Sequence, residues 1–197
     1  GLAVATMVLA FGRISGAHIN PVVTLALWLA GRFPSRLVLP YMAAQIVGAL
    51  IAASVLHGLF HASPGALGAT LPSGDIWTSF GFEIVLTFLL VYVIFAVAHQ
   101  HHAPLPLIAA AAGMVVGLEA TFAGEISGAS MNPARSFGPA AIAWVWSDHW
   151  IYWAAPAIGA LMAAVLHLAV QVLLPPPVRG HLLVHGGQKH LLLLKEK

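Results

Sequence analysis

The residues able to do chemistry in this chain sit in two short, related stretches. One is Ser127-Gly128-Ala129-Ser130-Met131-Asn132-Pro133-Ala134-Arg135, and the other is Ser15-Gly16-Ala17-His18-Ile19-Asn20-Pro21-Val22. With Ile14 and Ile126 included, six of nine positions recur 112 residues later. A lone Asn-Pro pair is an ordinary turn opener, but the same pair inside a repeated Ser-Gly-Ala frame marks an internal repeat. Asn offers an oxygen that caps a helix and an amide that donates to a passing oxygen, and Pro is favoured at the first helical position. Arg135 adds a permanent cation three residues after Asn132.

The remaining reactive groups are sparse. Glu83 and Glu119 lie inside long apolar runs, where a carboxylate costs about 2.5 kcal/mol or more and needs a partner. For Glu83 the expected role is structural, accepting backbone N–H groups of the Asn132 loop, while Glu119 has no assigned role. The chain has no Cys, which excludes a disulfide framework, a thiolate nucleophile and a Cys metal site. His99, His101 and His102 could bind metal or sense pH, but a polar connecting loop is the favoured reading of them. No site is assigned to these residues, nor to His181, His185 and His190 in the Leu- and Lys-rich tail.

The elements that must hold these residues are membrane helices. Apolar residues make up 60% of the chain and charged residues 7%, and the mean hydropathy is +0.92; a soluble domain carries about 25% charged residues. A net charge of +2 gives no reason to expect a nucleic-acid partner. Full spans are expected over 38–60, 77–98, 105–123 and 150–174, with an apolar half-span over 1–11. After each Asn-Pro, apolar residues continue to about Leu29 and about Trp144. Ten to thirteen residues at ~1.5 Å each give helices of ~15–20 Å, half of a ~30 Å bilayer core. Both halves therefore contain a half-helix.

The repeat extends further. Tyr41–Ser54 and Tyr152–Val165 agree at eight of fourteen positions, including Ala43/Ala154, Gly48/Gly159 and Ala52/Ala163, small residues suited to close helix packing. The expected organisation is a first repeat over 1–60, an extracellular loop over 61–76, a second repeat over 77–174 and a cytoplasmic tail over 175–197. Span 77–98 has no counterpart in the first half, so a first helix and part of the second are expected upstream of Gly1. Three crossings separate the equivalent positions, so the repeats are inverted and their half-helices enter from opposite faces. Arg13, Arg32, Arg36, Arg179, Lys189, Lys195 and Lys197 fall on one side of this scheme and Asp75, Glu125 and Asp148 on the other. That is a positive-inside pattern, with Arg135 as the exception.

Irregular backbone at membrane depth must line a cavity or be buried in protein. Two facing helix N-termini carry about half an elementary charge each. They repel cations and hydronium and admit a neutral hydrogen-bonding molecule, and Arg135 adds a second barrier. A plain helix cap is the alternative for each Asn, and an outer-surface charge for Arg135. A secondary transporter uses the same architecture. An enzyme ranks last, because no Ser/His/Asp group or metal-spaced His pair lies within the spans.

From Gly1 to Leu174 the residues resemble the aquaporin (major intrinsic protein) family. The resemblance is carried by the two Asn-Pro motifs, by Glu83 with Thr87, by Ala44-Gln45-Ile46-Val47-Gly48-Ala49, and by the continuation Ser136-Phe137-Gly138-Pro139-Ala140. It implies an all-α membrane fold, an aquaporin-like inverted repeat with two re-entrant half-helices, here lacking the first transmembrane helix. It also implies a homotetramer in a lipid bilayer, most naturally the cell membrane, passing water or small neutral solutes without a cofactor. Asn20 and Asn132 become pore asparagines within motifs completed by Pro21, Val22, Pro133 and Ala134. Arg135, Ala129 and Ala120 become filter positions, the fourth preceding Gly1. Ser136 and Tyr152-Trp153 resemble water-type members. Three features depart from that type: Val22 replaces Ala, Ala120 replaces the His of strict water channels, and 117–124 resembles nodulin-like and bacterial members that pass glycerol or metalloid acids.

Overall fold

In the computed structural model, which describes residues 1–60, 68–98 and 103–173, seven helices follow one another: α1 (Leu2–Ser15), α2 (Pro21–Leu29), α3 (Ser35–Phe60), α4 (Ile76–Ala98), α5 (Leu105–Ser127), α6 (Pro133–Ala143) and α7 (Ile151–Leu173). Four of them, α3, α4, α5 and α7, are long and apolar enough to cross a membrane, and α1 is a shorter apolar helix. α2 and α6 have nine and eleven residues, the half-helices expected from the two Asn-Pro motifs. His99, His101 and His102, the histidines of the tail, and Arg179, Lys189, Lys195 and Lys197 lie outside the described residues.

Two helices run further than their apolar segments. α1 continues past Phe11 to Ser15, and α5 past Ala123 to Ser127. Gly12, Arg13, Gly124 and Glu125 are tolerated in a last turn, and each helix stops only where a left-handed glycine, Gly16 or Gly128, follows it.

The packing follows the repeat. α5 packs on α1, and each half-helix packs on a long helix of the opposite half, α2 on α7 and α6 on α3. α4 packs against α5 and α7. A Cβ added to Gly159 of α7 would stand 2.3 Å from the Ile84 carbonyl oxygen and 2.9 Å from the Phe88 nitrogen; glycine is what lets these two backbones approach. The core around this contact joins Val22, Val23 and Ala26 of α2 to Val91 and Phe95 of α4 and Ala160, Ala163 and Ala164 of α7.

The small residues of α3 behave differently. Ala43, Gly48 and Ala52 are exposed, and a Cβ on Gly48 would meet nothing within 4 Å. The close packing expected at all these small positions is therefore found at Gly159 and Ala163 and not at their first-half equivalents. Gly48 instead lines a groove of about 560 Å³ between α1 and α3.

Candidate functional site

Both halves aim their Asn-Pro motif with the same local devices. The N–H groups of Gly16 (φ 86°) and Gly128 (φ 83°) bond back to Gly12 and Gly124, closing the preceding helices. Ser15 Oγ and Ser127 Oγ then each accept from the amide of the alanine two residues on, at 3.2 Å in both cases. The Tyr41 hydroxyl donates to the Ser15 carbonyl at 3.0 Å, and the Tyr152 hydroxyl to the Ser127 carbonyl at 2.7 Å. These tyrosines open the two repeated segments of α3 and α7, so the repeat carries the clamp of each loop.

The loops share an unusual backbone. Ala17, Ile19, Ala129 and Met131 have φ values of 46°, 46°, 41° and 53°. A residue with a Cβ held in the left-handed region costs about 1–2 kcal/mol, and such strain persists only where the surroundings over-determine it. Glu83 of α4 supplies much of that constraint in the second loop. It is fully buried and accepts from the amides of Ser130 (2.8 Å) and Met131 (2.7 Å) and from the Ser127 hydroxyl (2.7 Å).

These devices bring Asn20 and Asn132 together. Asn20 Oδ1 caps its own helix at the Val22 amide (3.0 Å). Asn132 Oδ1 caps the Ala134 (3.0 Å) and Arg135 (3.3 Å) amides. Each amide nitrogen crosses to the other loop, Asn20 Nδ2 donating to the Met131 carbonyl at 2.7 Å and Asn132 Nδ2 to the Ile19 carbonyl at 2.8 Å. The two half-helices thus abut N-terminus to N-terminus, each with a proline (Pro21 or Pro133) at its first position and a second amide hydrogen on its asparagine.

Beside this junction lies a cavity of about 270 Å³ lined by both asparagines, both loops, and Arg135, Ala129 and Ala120. Its walls beyond the junction are aliphatic, among them Val4, Val8, Val23, Leu90, Ile94 and Val116. Pro21, Val22, Pro133 and Ala134 are buried in the first turns of the half-helices. Arg135 Nη1 donates to the carbonyl of Gly68, in the segment 68–75 that precedes α4. A largely apolar cavity beside two facing helix N-termini can hold a neutral molecule by a few hydrogen bonds and offers an ion no counter-charge.

Several residues of the site escape sequence reasoning. His18 lines the cavity, with its Nδ1 3.0 Å from Thr24 Oγ1 and its ring against Phe33 and Tyr41. Gly68 and Thr70 come from a segment with no helical periodicity. The tyrosine clamp had a signal: both tyrosines occupy the same repeat position.

Residues 1–167 match the family model described as Major intrinsic protein. The chain belongs to the major intrinsic protein family. Its relatives in that family include Aquaporin NIP1-3 of Oryza sativa subsp. japonica, 45% identical over 164 residues, which are 83% of this chain and 57% of the relative. Aquaporin-4 of Homo sapiens is 44% identical over 171 residues, covering 85% and 53%. A probable aquaporin of NIP type from Nicotiana alata is 43% identical over 167 residues, covering 85% and 62%. The chain thus spans between 53% and 62% of the length of these relatives. The X-ray structure of the aquaglyceroporin from Plasmodium falciparum superposes with a TM-score of 0.73 at 24% identity, over 84% of this chain and 77% of that one. That likeness shows the all-α fold. The family match and the four long apolar helices together make the chain an integral membrane protein.

Proposed function

We propose that the protein is a passive transmembrane channel for water and small neutral solutes that excludes protons and ions. The observation that carries this reading is the head-to-head junction of α2 and α6 at the wall of one cavity. There Asn20 and Asn132 each keep one amide hydrogen after bonding the opposite loop. A water oxygen accepting from both turns its hydrogens away from the junction along both arms, which interrupts a proton wire. The two helix N-termini and Arg135 make the same place unfavourable for cations. The names of the relatives, all aquaporins, support the same reading.

Its test is stopped-flow swelling of liposomes carrying the full-length protein, with internal pH followed in parallel. Water flux should be fast, unsaturable and free of proton movement; a proton current that scales with water flux would refute it.

A second solute class is favoured by Ala120 and Ala129, small residues that line the same cavity as Arg135 and leave room for glycerol or a metalloid acid. A secondary transporter finds less support, since neither Glu83 nor Glu119 lines the cavity where a coupling ion would bind. The exposed apolar side chains of α5, such as Met114, Leu118 and Phe122, suit lipid or a neighbouring protomer in a homotetramer. The positive-inside pattern supports a cytoplasmic tail and a cytoplasmic first Asn-Pro loop.

A further inference from the structure

In both halves a hydroxyl lies four residues after the asparagine, and two side chains hold it. In the first half Thr24 Oγ1 lies 3.0 Å from His18 Nδ1 and accepts from Gln45 Nε2 of α3 at 3.0 Å. In the second half Ser136 stands in the place of Thr24 and Ser130 in that of His18, and their hydroxyls are hydrogen-bonded. The position equivalent to Gln45 is Pro156, which brings no polar side chain. Its place is taken by Thr70, whose Oγ1 donates to Ser136 Oγ at 2.7 Å. Thr70 comes from a segment outside the repeat, yet it is as buried as the site itself, at 5% exposure. Its Cβ and Cγ2 lie 3.1 Å from where a Cβ on Gly128 would stand, so a side chain there would crowd it and strain the φ of 83°.

The same segment holds Arg135. Two residues before Thr70, Gly68 (φ 79°) turns its carbonyl onto Arg135 Nη1, and Arg135 is the chain neighbour of Ser136. The segment therefore grips the arginine at its backbone, through Ser136, and at its guanidinium, through Gly68. Ser130 continues the chain of hydroxyls to Asn132, its Oγ donating to the Asn132 carbonyl at 3.0 Å. We propose that the Thr70–Ser136 hydrogen bond sets the reach of Arg135 across the cavity, making Thr70 and Ser136 positioning residues for solute selectivity. A long arginine side chain has many rotamers, and the other named wall positions, Ala120 and Ala129, carry only methyl groups. The guanidinium is thus the movable part of that wall, and the Gly68 carbonyl is where it is tied.

This inference rests on the channel reading, and the test separates the two. Water and glycerol permeabilities are measured in proteoliposomes for the full-length wild type, T70V, T70S and S136A. Thr70→Val keeps the shape and removes the hydroxyl, and should raise the glycerol-to-water ratio about fivefold, the scale of one ordinary hydrogen bond. Ser136→Ala should move the ratio in the same direction. Thr70→Ser, which restores the donor, should return it to the wild-type value. A wild-type ratio in T70V, or the same shift in T70S as in T70V, overturns the proposal. Should T70V fail to assemble, S136A decides, and an unchanged ratio there overturns it equally. Wild-type vesicles no faster than empty ones would instead remove the channel reading, before any variant is compared.

Discussion

Glu83 and Glu119 are both carboxyls inside apolar helices, and their surroundings are opposite. Glu83 accepts three hydrogen bonds, two of them from backbone amides of a strained loop. Glu119 is 2% exposed, and neither of its oxygens has a partner among the described residues. Helical spacing sets it between Val116 and Ala123, on the stripe of α5 that packs against Leu86 and Leu90 of α4. Glu83→Gln replaces one acceptor by a donor against amide donors. It should lower stability by at least about 2 kcal/mol, read as a fall in thermal midpoint in detergent. Glu119→Met removes two unsatisfied polar atoms at similar volume and should raise stability by about 1–3 kcal/mol. Its water permeability should stay at the wild-type level, because the residue does not line the cavity. A lowered midpoint for Glu119→Met would mean that the carboxyl has a partner the geometry does not reveal. The sequence could expose both carboxyls as anomalies. Only the three-dimensional contacts distinguish the one that organises a loop from the one that does not.

Among the elements, the apolar runs and the Asn-Pro pairs were legible because composition and capping chemistry are local. The helices appear at the expected places, with ends that differ by a turn where a glycine and not a polar residue stops them. The segment 68–75 was not legible, since it is positioned by side-chain bonds to α6 and by Ser73 to the Ile126 carbonyl, not by any periodicity. Nor could the repeat tell that Gly159 meets a neighbouring backbone while Gly48 meets an open groove, because partners lie outside the repeated segment. The contrast is testable. Gly159→Ala puts a Cβ into the backbone of α4 and should destabilise by about 1–3 kcal/mol. Gly48→Ala, in open space on a helix, should be neutral or stabilising by up to about 1 kcal/mol. Equal effects in thermal melts would contradict the close α4–α7 approach.

For the whole molecule, the head-to-head junction fixes which ends lie apart. α2 runs from the junction to the turn before Arg36, and α6 runs from the same junction to the turn holding Asp148, so the two turns lie at opposite ends. Five of the six Trp residues, Trp77, Trp144, Trp146, Trp150 and Trp153, gather at the Asp148 end, as an aromatic belt at a membrane interface would. Arg36 and Asp148 are both exposed, and a chain without Cys can report their positions by single substitution. An impermeant maleimide added outside oriented vesicles should label only one of R36C and D148C, and lysis should reveal the other. The same lack of thiols in this sequence predicts that mercurials leave flux through the wild type unchanged; rapid inhibition reversed by reducing agent would contradict that, or place a Cys in the segment expected upstream of Gly1. Ala120 lies on a regular helix and lines the cavity, so Ala120→Cys needs no special backbone and places a thiol on the cavity wall. Mercurial addition to A120C should abolish most of the water flux, and a reducing agent should restore it. Unimpeded flux through mercury-loaded A120C would mean that water crosses by a path other than this cavity. The junction of α2 and α6 would then be a structural device only.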